Sequence, residues 1–175
     1  MINLVYECHD FFKNCGFTYA ICGGFALELF INRKIRPHSD LDISIFDEDR
    51  KNIVEFMLSH GWRVYEHPSS SELLGIILSP DDKRVLERHC LWAIKPDCSF
   101  INIEPTAEAE GFFKYEITNE EQLNFDFIEI IFNSKSDTDF LCGKDKNIKR
   151  EMDKAILYSD GIPYLAPEIL LLITS

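Results

Sequence analysis

The stretch YAICGGFALELFINRKIRPHSDLDISIF (residues 19–46) decides the fold of this chain. It reads as a short apolar strand, a turn at Gly23 and Gly24, a helix, a basic loop and a second apolar strand that carries two carboxylates. Asp40 and Asp42 are separated by one residue in the second strand, so the alternation of side chains puts both on one face. Such a pair is costly unless a cation joins it. A metal site is one interpretation of the pattern, and a solvated strand end or helix cap is the other, so the pair points to a metal only in combination with further motifs.

A third carboxylate is expected from the segment FDFIEIIF (125–132). This segment predicts a strand buried in a central sheet, because it is apolar on both faces apart from Asp126 and Glu129. These two acids are three residues apart and therefore point to opposite faces of a strand, so only one can face the site. Glu129 is favoured because its neighbours on both sides are aliphatic, while Asp126 and, after it, Glu104 remain alternatives. Three carboxylates would supply the oxygen ligands that Mg²⁺ prefers.

The two glycines of the opening stretch allow two interpretations. Gly23 and Gly24 lie between a strand and a helix, where the backbone passes close to a phosphate and the first helical N–H groups point at it. A tight turn without a ligand explains the same two residues. The glycines therefore support a phosphate site only in combination with the carboxylates.

Length, composition and charge limit the classes of protein that this chain can represent. Its 175 residues fit one compact domain spanning 1–175. A content of 46% hydrophobic and 27% charged residues is typical of a globular protein. The formal net charge of −12 disfavours binding to nucleic acid or to an anionic membrane. A cationic or neutral partner is expected instead.

The sequence carries no signal for secretion or membrane insertion. The N-terminus lacks a basic segment followed by a long apolar one, and no apolar run approaches the roughly 20 residues that span a bilayer. Six cysteines without a Cys-x-x-Cys pair are interpreted as free thiols in a reducing compartment. We therefore expect a cytoplasmic protein with no membrane partner.

Hydrophobic periodicity and turn residues predict the remaining elements. Residues 133–153 are polar and lysine-rich, and no element is assigned to them. Trp92 lies in a strand pattern, where packing in the core is favoured and stacking on a ligand stays open. Helices are expected at 3–14, 25–32, 47–60 and 167–175, and strands at 17–22, 41–46, 62–66, 73–78, 89–94, 100–103, 112–117 and 125–132.

Four motifs taken together resemble the small antibiotic nucleotidyltransferases of the DNA polymerase β-like superfamily, which include lincosamide and aminoglycoside adenylyltransferases. The resemblance is dense over 17–66, returns at 125–133 and 161–172, and is loose between them. The motifs are GGFALELF (23–30), RKIRPHSDLDISIF (33–46), FIEIIFN (127–133) and GIPYLAPEILLL (161–172).

The resemblance implies an α+β nucleotidyltransferase fold, in which helices flank a mixed central β-sheet. It implies that Gly23, Gly24 and Ser39 lie at the phosphates of a nucleoside triphosphate, ATP being the expected donor. Arg36 and His38 match the Arg-x-His positions of the family, where they contact the triphosphate or brace the loop.

The resemblance also implies the reaction. Asp40 and Asp42 would hold Mg²⁺, with two ions expected from the chemistry of nucleotidyl transfer. Glu129 would be the third carboxylate, or the base that accepts a proton from the acceptor hydroxyl as that hydroxyl attacks the α-phosphorus. The expected acceptor is a small hydroxyl-bearing molecule such as an aminoglycoside or a lincosamide, and the acidic composition suits a cationic one.

The sequence also allows two other functions. One is a nucleotidyltransferase that acts on protein or RNA, as toxin-antitoxin relatives do, although the negative charge disfavours RNA. The other is a catalytically silent module that binds nucleotide or dimerises. Many relatives continue past the last motif into further helices, so the acceptor site is expected to be open or to be shared across a homodimer.

Overall fold

The computed structural model describes residues 3–68 and 71–173. A short 3-10 helix at Asp47–Asp49 leads into the third α-helix. The α-helices of the described residues are Asn3–Phe12 (α1), Gly23–Ile31 (α2), Arg50–Ser59 (α3), Lys83–Glu87 (α4), Met152–Ala155 (α5) and Pro167–Ile173 (α6). The strands are Tyr19–Cys22 (β1), Asp42–Phe46 (β2), Arg63–Glu66 (β3), Leu73–Ile77 (β4), Cys90–Ile94 (β5), Ile101–Pro105 (β6), Phe112–Ile117 (β7), Phe127–Lys135 (β8), Asp139–Leu141 (β9), Lys149–Glu151 (β10), Ile156–Ser159 (β11) and Ile162–Leu165 (β12).

The strands form one mixed sheet in the order β11-β12-β1-β2-β8-β5-β3-β4-β7-β6, and β9 extends from β8 to pair with β10. Strand β1 runs parallel to β12, and β2 runs parallel to β8. The other neighbouring strands are antiparallel. The mixed sheet with flanking helices that the resemblance implied is confirmed.

The two faces of the sheet carry different cores. The larger core includes Ile43 of β2, Ile130 of β8 and Leu91 of β5, which lie in register across three strands. The helices α1, α2, α3 and α6 contribute their apolar sides to this core. The smaller core lies on the opposite face, where Ile94 is paired with Phe127. The helices therefore cover one face of the sheet near β2 and β8, and polar side chains can collect on the other.

The central strand lies where the sequence predicted it, with shifted ends. Strand β8 covers residues 127–135 instead of 125–132, and it is paired on both sides, with β2 and β5. Strand β2 begins at Asp42, so Asp40 lies just before the strand. The chain nevertheless remains tied to β8 there, because the Glu129 N–H donates to the Leu41 carbonyl at 3.0 Å.

The structure adds four strands that the sequence analysis did not assign. Strands β9 to β12 are three or four residues long, and each is held by pairing with another segment of the chain. Strand β12 contains Pro163, a residue that usually argues against a strand because it lacks an N–H group. Strands this short leave too little periodic pattern to be recognised locally.

The last helix begins at Pro167 as predicted and is described as far as Ile173. The final two residues of the predicted helix at 167–175 lie outside the described residues. Within residues 3–68 and 71–173, none of the helices has the length and apolar character needed to cross a membrane.

Candidate active site

Three carboxylates meet near the N-terminal ends of β2 and β8, two parallel strands in the middle of the sheet. Asp42 on β2 is in register with Glu129 on β8, so their side chains lie on the same face. Asp40, just before β2, joins them, and one oxygen from each of the three carboxylates lies within 4.8 Å of the other two. The structure therefore brings together the three acids that the sequence analysis favoured.

Asp42 is partly exposed, but one of its two carboxylate oxygens is buried. Burial, followed by the nearby charges of Asp40 and Glu129 and a hydrogen bond with Glu129, raises the pKa of Asp42 well above its ordinary value. The Oδ1 atom of Asp42 is buried and has no hydrogen-bond partner among the described residues. A buried carboxylate oxygen without a donor, facing two further carboxylates, fits a divalent cation with oxygen ligands.

Two thiols flank the carboxylates. Cys22 on β1 is in register with Asp42, and Cys90 on β5 lies close to Glu129. Burial, together with the charge of Glu129 and a hydrogen bond to it, raises the pKa of Cys90 to about 12. All six cysteines of the chain are free, as the sequence analysis expected. Burial, followed by the charges of Asp42 and Glu129, raises the pKa of Cys22 well above its ordinary value, so both thiols are protonated at neutral pH and add no charge to the site.

Gly23 gives Asp42 the space that it occupies. Gly23 has a φ of +65°, a conformation that favours glycine, and it is the first residue of α2 instead of part of a separate turn. A Cβ atom at this position would lie 2.0 Å from Oδ2 of Asp42. The start of α2 therefore touches the carboxylate cluster.

His38 and Gly24 are packed against each other inside the fold. A Cβ atom at Gly24 would lie 2.3 Å from Cε1 of His38, and the His38 ring lies 4.5 Å from that of Phe25. The Nε2 atom of buried His38 is 2.9 Å from Oε1 of Glu28. In this structure the imidazole therefore braces the basic loop against α2, which is one of the two roles considered for it.

Glu28 is the residue of this region that the sequence analysis missed. Burial by itself would raise its pKa, but hydrogen bonds from the Ile35 N–H, from His38 and from the Arg36 N–H outweigh burial and lower the pKa. Glu28 therefore stays ionised while almost completely buried. Its signal in the sequence is that it is the single charged residue of the helix GGFALELFI.

Ser39 and the side chain of Arg36 are exposed beside this braced loop. The Arg36 guanidinium donates to the Pro37 carbonyl at 3.3 Å, and the Ser39 hydroxyl is 3.5 Å from Oδ1 of Asp40. A cavity of about 310 Å³ lies next to the loop and is lined in part by Lys34 and Arg36. The three carboxylates do not line this cavity.

The two alternative acids lie elsewhere. Asp126 precedes β8 and turns toward residues 95–99, where its Oδ2 atom accepts a long hydrogen bond of 3.4 Å from the Ser99 N–H. Glu104 lies on β6, the last strand of the sheet, opposite Lys114. Neither acid belongs to the carboxylate cluster around Asp42.

Comparison of the structure with solved structures assigns the fold. The lincosamide antibiotic adenylyltransferase LnuA bound to lincomycin matches with a TM-score of 0.55 at 12% identity, covering 100% of this chain and 86% of that chain. ANT(2'')-Ia in complex with adenylyl-2''-tobramycin matches with a TM-score of 0.48 at 13% identity, covering 93% and 68%. The likeness to LnuA shows the nucleotidyltransferase fold that the resemblance implied.

A family model of aminoglycoside-2''-adenylyltransferase matches residues 4–157. The chain belongs to the aminoglycoside-2''-adenylyltransferase family and is a nucleotidyltransferase. A search of curated proteins found no significant match. The family requires a nucleotide donor, in agreement with the resemblance seen in the sequence.

Proposed function

We propose that this protein is a Mg²⁺-dependent enzyme that transfers AMP from ATP to a hydroxyl group of an aminoglycoside antibiotic. The observation that carries the proposal is the cluster of Asp40, Asp42 and Glu129 on one face of the sheet. Membership of the aminoglycoside-2''-adenylyltransferase family supports the choice of donor and acceptor. The net charge of −12 supports a cationic acceptor, and the free cysteines support a reducing compartment such as the cytoplasm.

Asp40 and Asp42 are the proposed metal ligands, with Glu129 as the third carboxylate. The partnerless Oδ1 atom and the raised pKa of Asp42 support this assignment, because a divalent cation offsets both the missing donor and the repulsion. Bound Mg²⁺, one ion or two, supplies positive charge that neutralises the phosphate oxygens. The protein would contribute one oxygen from each of the three carboxylates, and these oxygens already lie within 4.8 Å of one another.

Glu129 is also the proposed base. In the transfer, the acceptor oxygen forms a bond to the α-phosphorus of ATP, and the bond from that phosphorus to the bridging oxygen breaks. The electron pair of the broken bond leaves with pyrophosphate, and the hydroxyl proton passes to the Glu129 carboxylate. The position of Glu129 in the central strand, next to Asp42, supports this role.

The donor phosphates are proposed to bind at the start of α2. Gly23 and Gly24 open that helix and its first N–H groups have no acceptor within it, an arrangement that favours phosphate. Exposed Ser39 and Arg36 are proposed to contact the triphosphate. His38 is proposed to act indirectly, by holding their loop against Glu28.

A transfer assay tests the proposal. The purified protein is incubated with ATP, Mg²⁺ and either tobramycin, other aminoglycosides or lincomycin, and both pyrophosphate and the adenylylated product are measured. Asp40→Asn is expected to reduce transfer to background. Asp81→Asn is the control, because Asp81 is an exposed acid whose surface ion pair with Lys51 lies outside the site.

Three outcomes are informative. Transfer to an aminoglycoside that depends on Asp40 supports the proposal. Transfer that survives Asp40→Asn would refute the proposed site. Metal-dependent ATP binding without transfer to any acceptor would favour a silent nucleotide-binding module.

A further inference from the structure

Three partly exposed aromatic rings form a cluster beside the carboxylates. His67 follows β3, Trp92 lies on β5 and Tyr115 lies on β7. The His67 ring is stacked on Trp92 with centroids 4.5 Å apart and an angle of 8° between the planes. The Tyr115 ring meets Trp92 edge-on at 5.3 Å, and its hydroxyl is 2.8 Å from Nε2 of His67. The three rings are thus held in fixed orientations by stacking and by one hydrogen bond.

The cluster shares a sheet face with the carboxylates. Trp92 is in register with Glu129, and Glu129 is in register with Asp42 on its other side. The side chains of residues in register lie on the same face of a sheet. Asp42, Glu129 and Trp92 therefore form a row of neighbouring side chains across β2, β8 and β5.

The two ends of this row are proposed to serve different substrates, the nucleotide at one end and the acceptor at the other. The proposed phosphate site lies at Gly23, on the β1 side of Asp42, whereas Trp92 lies on the β5 side of Glu129. In phosphoryl transfer the attacking and leaving oxygens lie roughly in line with the phosphorus. An acceptor that attacks opposite the leaving pyrophosphate therefore approaches from the side of Trp92.

Trp92 and Tyr115 pack against the smaller core, but this packing covers only part of the cluster. Leu91 and Ala93, the neighbours of Trp92 in β5, are completely buried in the core beneath the helices, while Trp92 points to the other face. Trp92 rests edge-on against Phe127 of the smaller core, but Trp92, His67 and Tyr115 all remain partly exposed. The cluster thus presents aromatic surface to solvent next to Glu129.

The chemistry of this surface selects for cations. Aromatic faces attract ammonium groups, most strongly when carboxylates lie nearby. Glu129 is in register with Trp92, and burial together with the charge of Glu72 raises the pKa of the Tyr115 phenol. We propose that His67, Trp92 and Tyr115 form one wall of the acceptor site and bind an amine-bearing sugar ring of the acceptor. This inference rests on the proposed function and specifies the residues that recognise the acceptor.

Tryptophan fluorescence tests the contact directly. The chain has two tryptophans, and Trp62 is 3% exposed in the core beneath the helices. The variant Trp62→Phe therefore leaves Trp92 as the only reporter. Titration with tobramycin, without ATP, is expected to give a saturable change in fluorescence, and sucrose, a neutral sugar, is expected to give none. No change with tobramycin would overturn the proposal.

Steady-state kinetics test the same contact in the otherwise unaltered protein. Trp92→Leu is expected to raise KM for tobramycin about tenfold while KM for ATP stays within about twofold, given the strength of cation–π contacts. Trp92→Phe keeps an aromatic face and should restore most of the affinity, and Tyr115→Phe removes only the hydroxyl that orients His67. Tyr158→Ala, which removes an aromatic side chain that is 69% exposed on β11, is the control and should change neither constant.

The outcomes separate this inference from the proposed function. A rise in KM for ATP alone would make the cluster a platform for the nucleotide base and would overturn the inference. Unchanged constants in folded Trp92→Leu would make the cluster purely structural, and the transferase function would stand. Tobramycin binding at Trp92 without any AMP transfer would support the inference and refute the proposed function.

Discussion

Asp42 and Glu129 lie opposite each other on adjacent parallel strands, so the two carboxylates share one face at the centre of the sheet. Each is flanked by a further strand, with Cys22 beside Asp42 and Trp92 beside Glu129. The resulting row crosses four strands that come from well-separated parts of the chain. The row is the geometric basis of both the proposed metal site and the proposed acceptor wall.

Asp42→Asn is expected to stabilise the metal-free protein while abolishing transfer. The pKa of folded Asp42 is raised, so the native state retains a proton that the unfolded chain has lost, and wild-type stability falls as pH rises from about 4 through the folded pKa. The asparagine of the variant does not titrate, so the variant does not lose this stability as the pH rises. A gain of about 1 kcal/mol would raise Tm at neutral pH by about 2–4 °C. Thermal unfolding across pH, with and without Mg²⁺, checks this, and an equal rise in Tm with Mg²⁺ for both proteins would contradict the site.

Glu129→Gln and Asp126→Asn are expected to differ sharply. Loss of the Glu129 carboxylate should lower kcat by about 10²-fold or more, the usual contribution of a positioned base. Asp126 turns toward Ser99, so its amide variant should keep transfer within a few-fold of wild type. Comparison of kcat for the two variants provides the test. A larger loss in Asp126→Asn would show that the third carboxylate had been misassigned.

Gly23→Ala is expected to disturb the carboxylate cluster. This effect comes in addition to the backbone strain that alanine causes at any position with a positive φ. Gly161 is the matched control, with a φ of +77° and nothing within 4 Å of an added Cβ atom. Alanine should cost about 1–2 kcal/mol of backbone strain at either position. Only at Gly23 does the new methyl group meet Asp42, so only Gly23→Ala should lose stabilisation by Mg²⁺. Denaturant unfolding with and without Mg²⁺ measures both effects.

Glu28→Ala is expected to destabilise the protein by about 2–4 kcal/mol, because it removes the buried acceptor of His38 and of two backbone N–H groups. Glu121→Ala, which breaks a half-exposed ion pair with Lys34, should cost less than about 0.5 kcal/mol. The free energy of unfolding in urea, measured for both variants, tests this difference.

The Glu28 effect has a defined pH dependence. The pKa of Glu28 is lowered in the folded protein, so its stabilisation is complete above the unfolded pKa and is lost as pH falls through the folded value. Glu28→Gln should flatten that part of the acid stability curve. An unchanged acid limb would show that Glu28 does not contribute as an ionised group.

Local pattern was sufficient for much of the site. Asp40 and Asp42 were expected together because side-chain alternation depends only on the backbone of one strand. The same rule predicted that Glu129 and Asp126 point to opposite faces of their strand, so that only one of them could face the site. The strand FIEIIF was recognisable because it is almost entirely apolar, a pattern typical of strands in the middle of a sheet whose two faces are largely covered.

The sequence by itself determined which segments carry the residues of the proposed site: the Asp-x-Asp strand, the central strand with Glu129 and the glycines between β1 and α2. The tertiary structure decided which side chains meet. The registers of β2 with β8 and of β8 with β5 bring Glu129 between Asp42 and Trp92, and folding of the basic loop onto α2 gives Glu28 its partner His38. Helical and strand periods are properties of a few consecutive residues, whereas register and side-chain pairing depend on contacts between segments far apart in the chain.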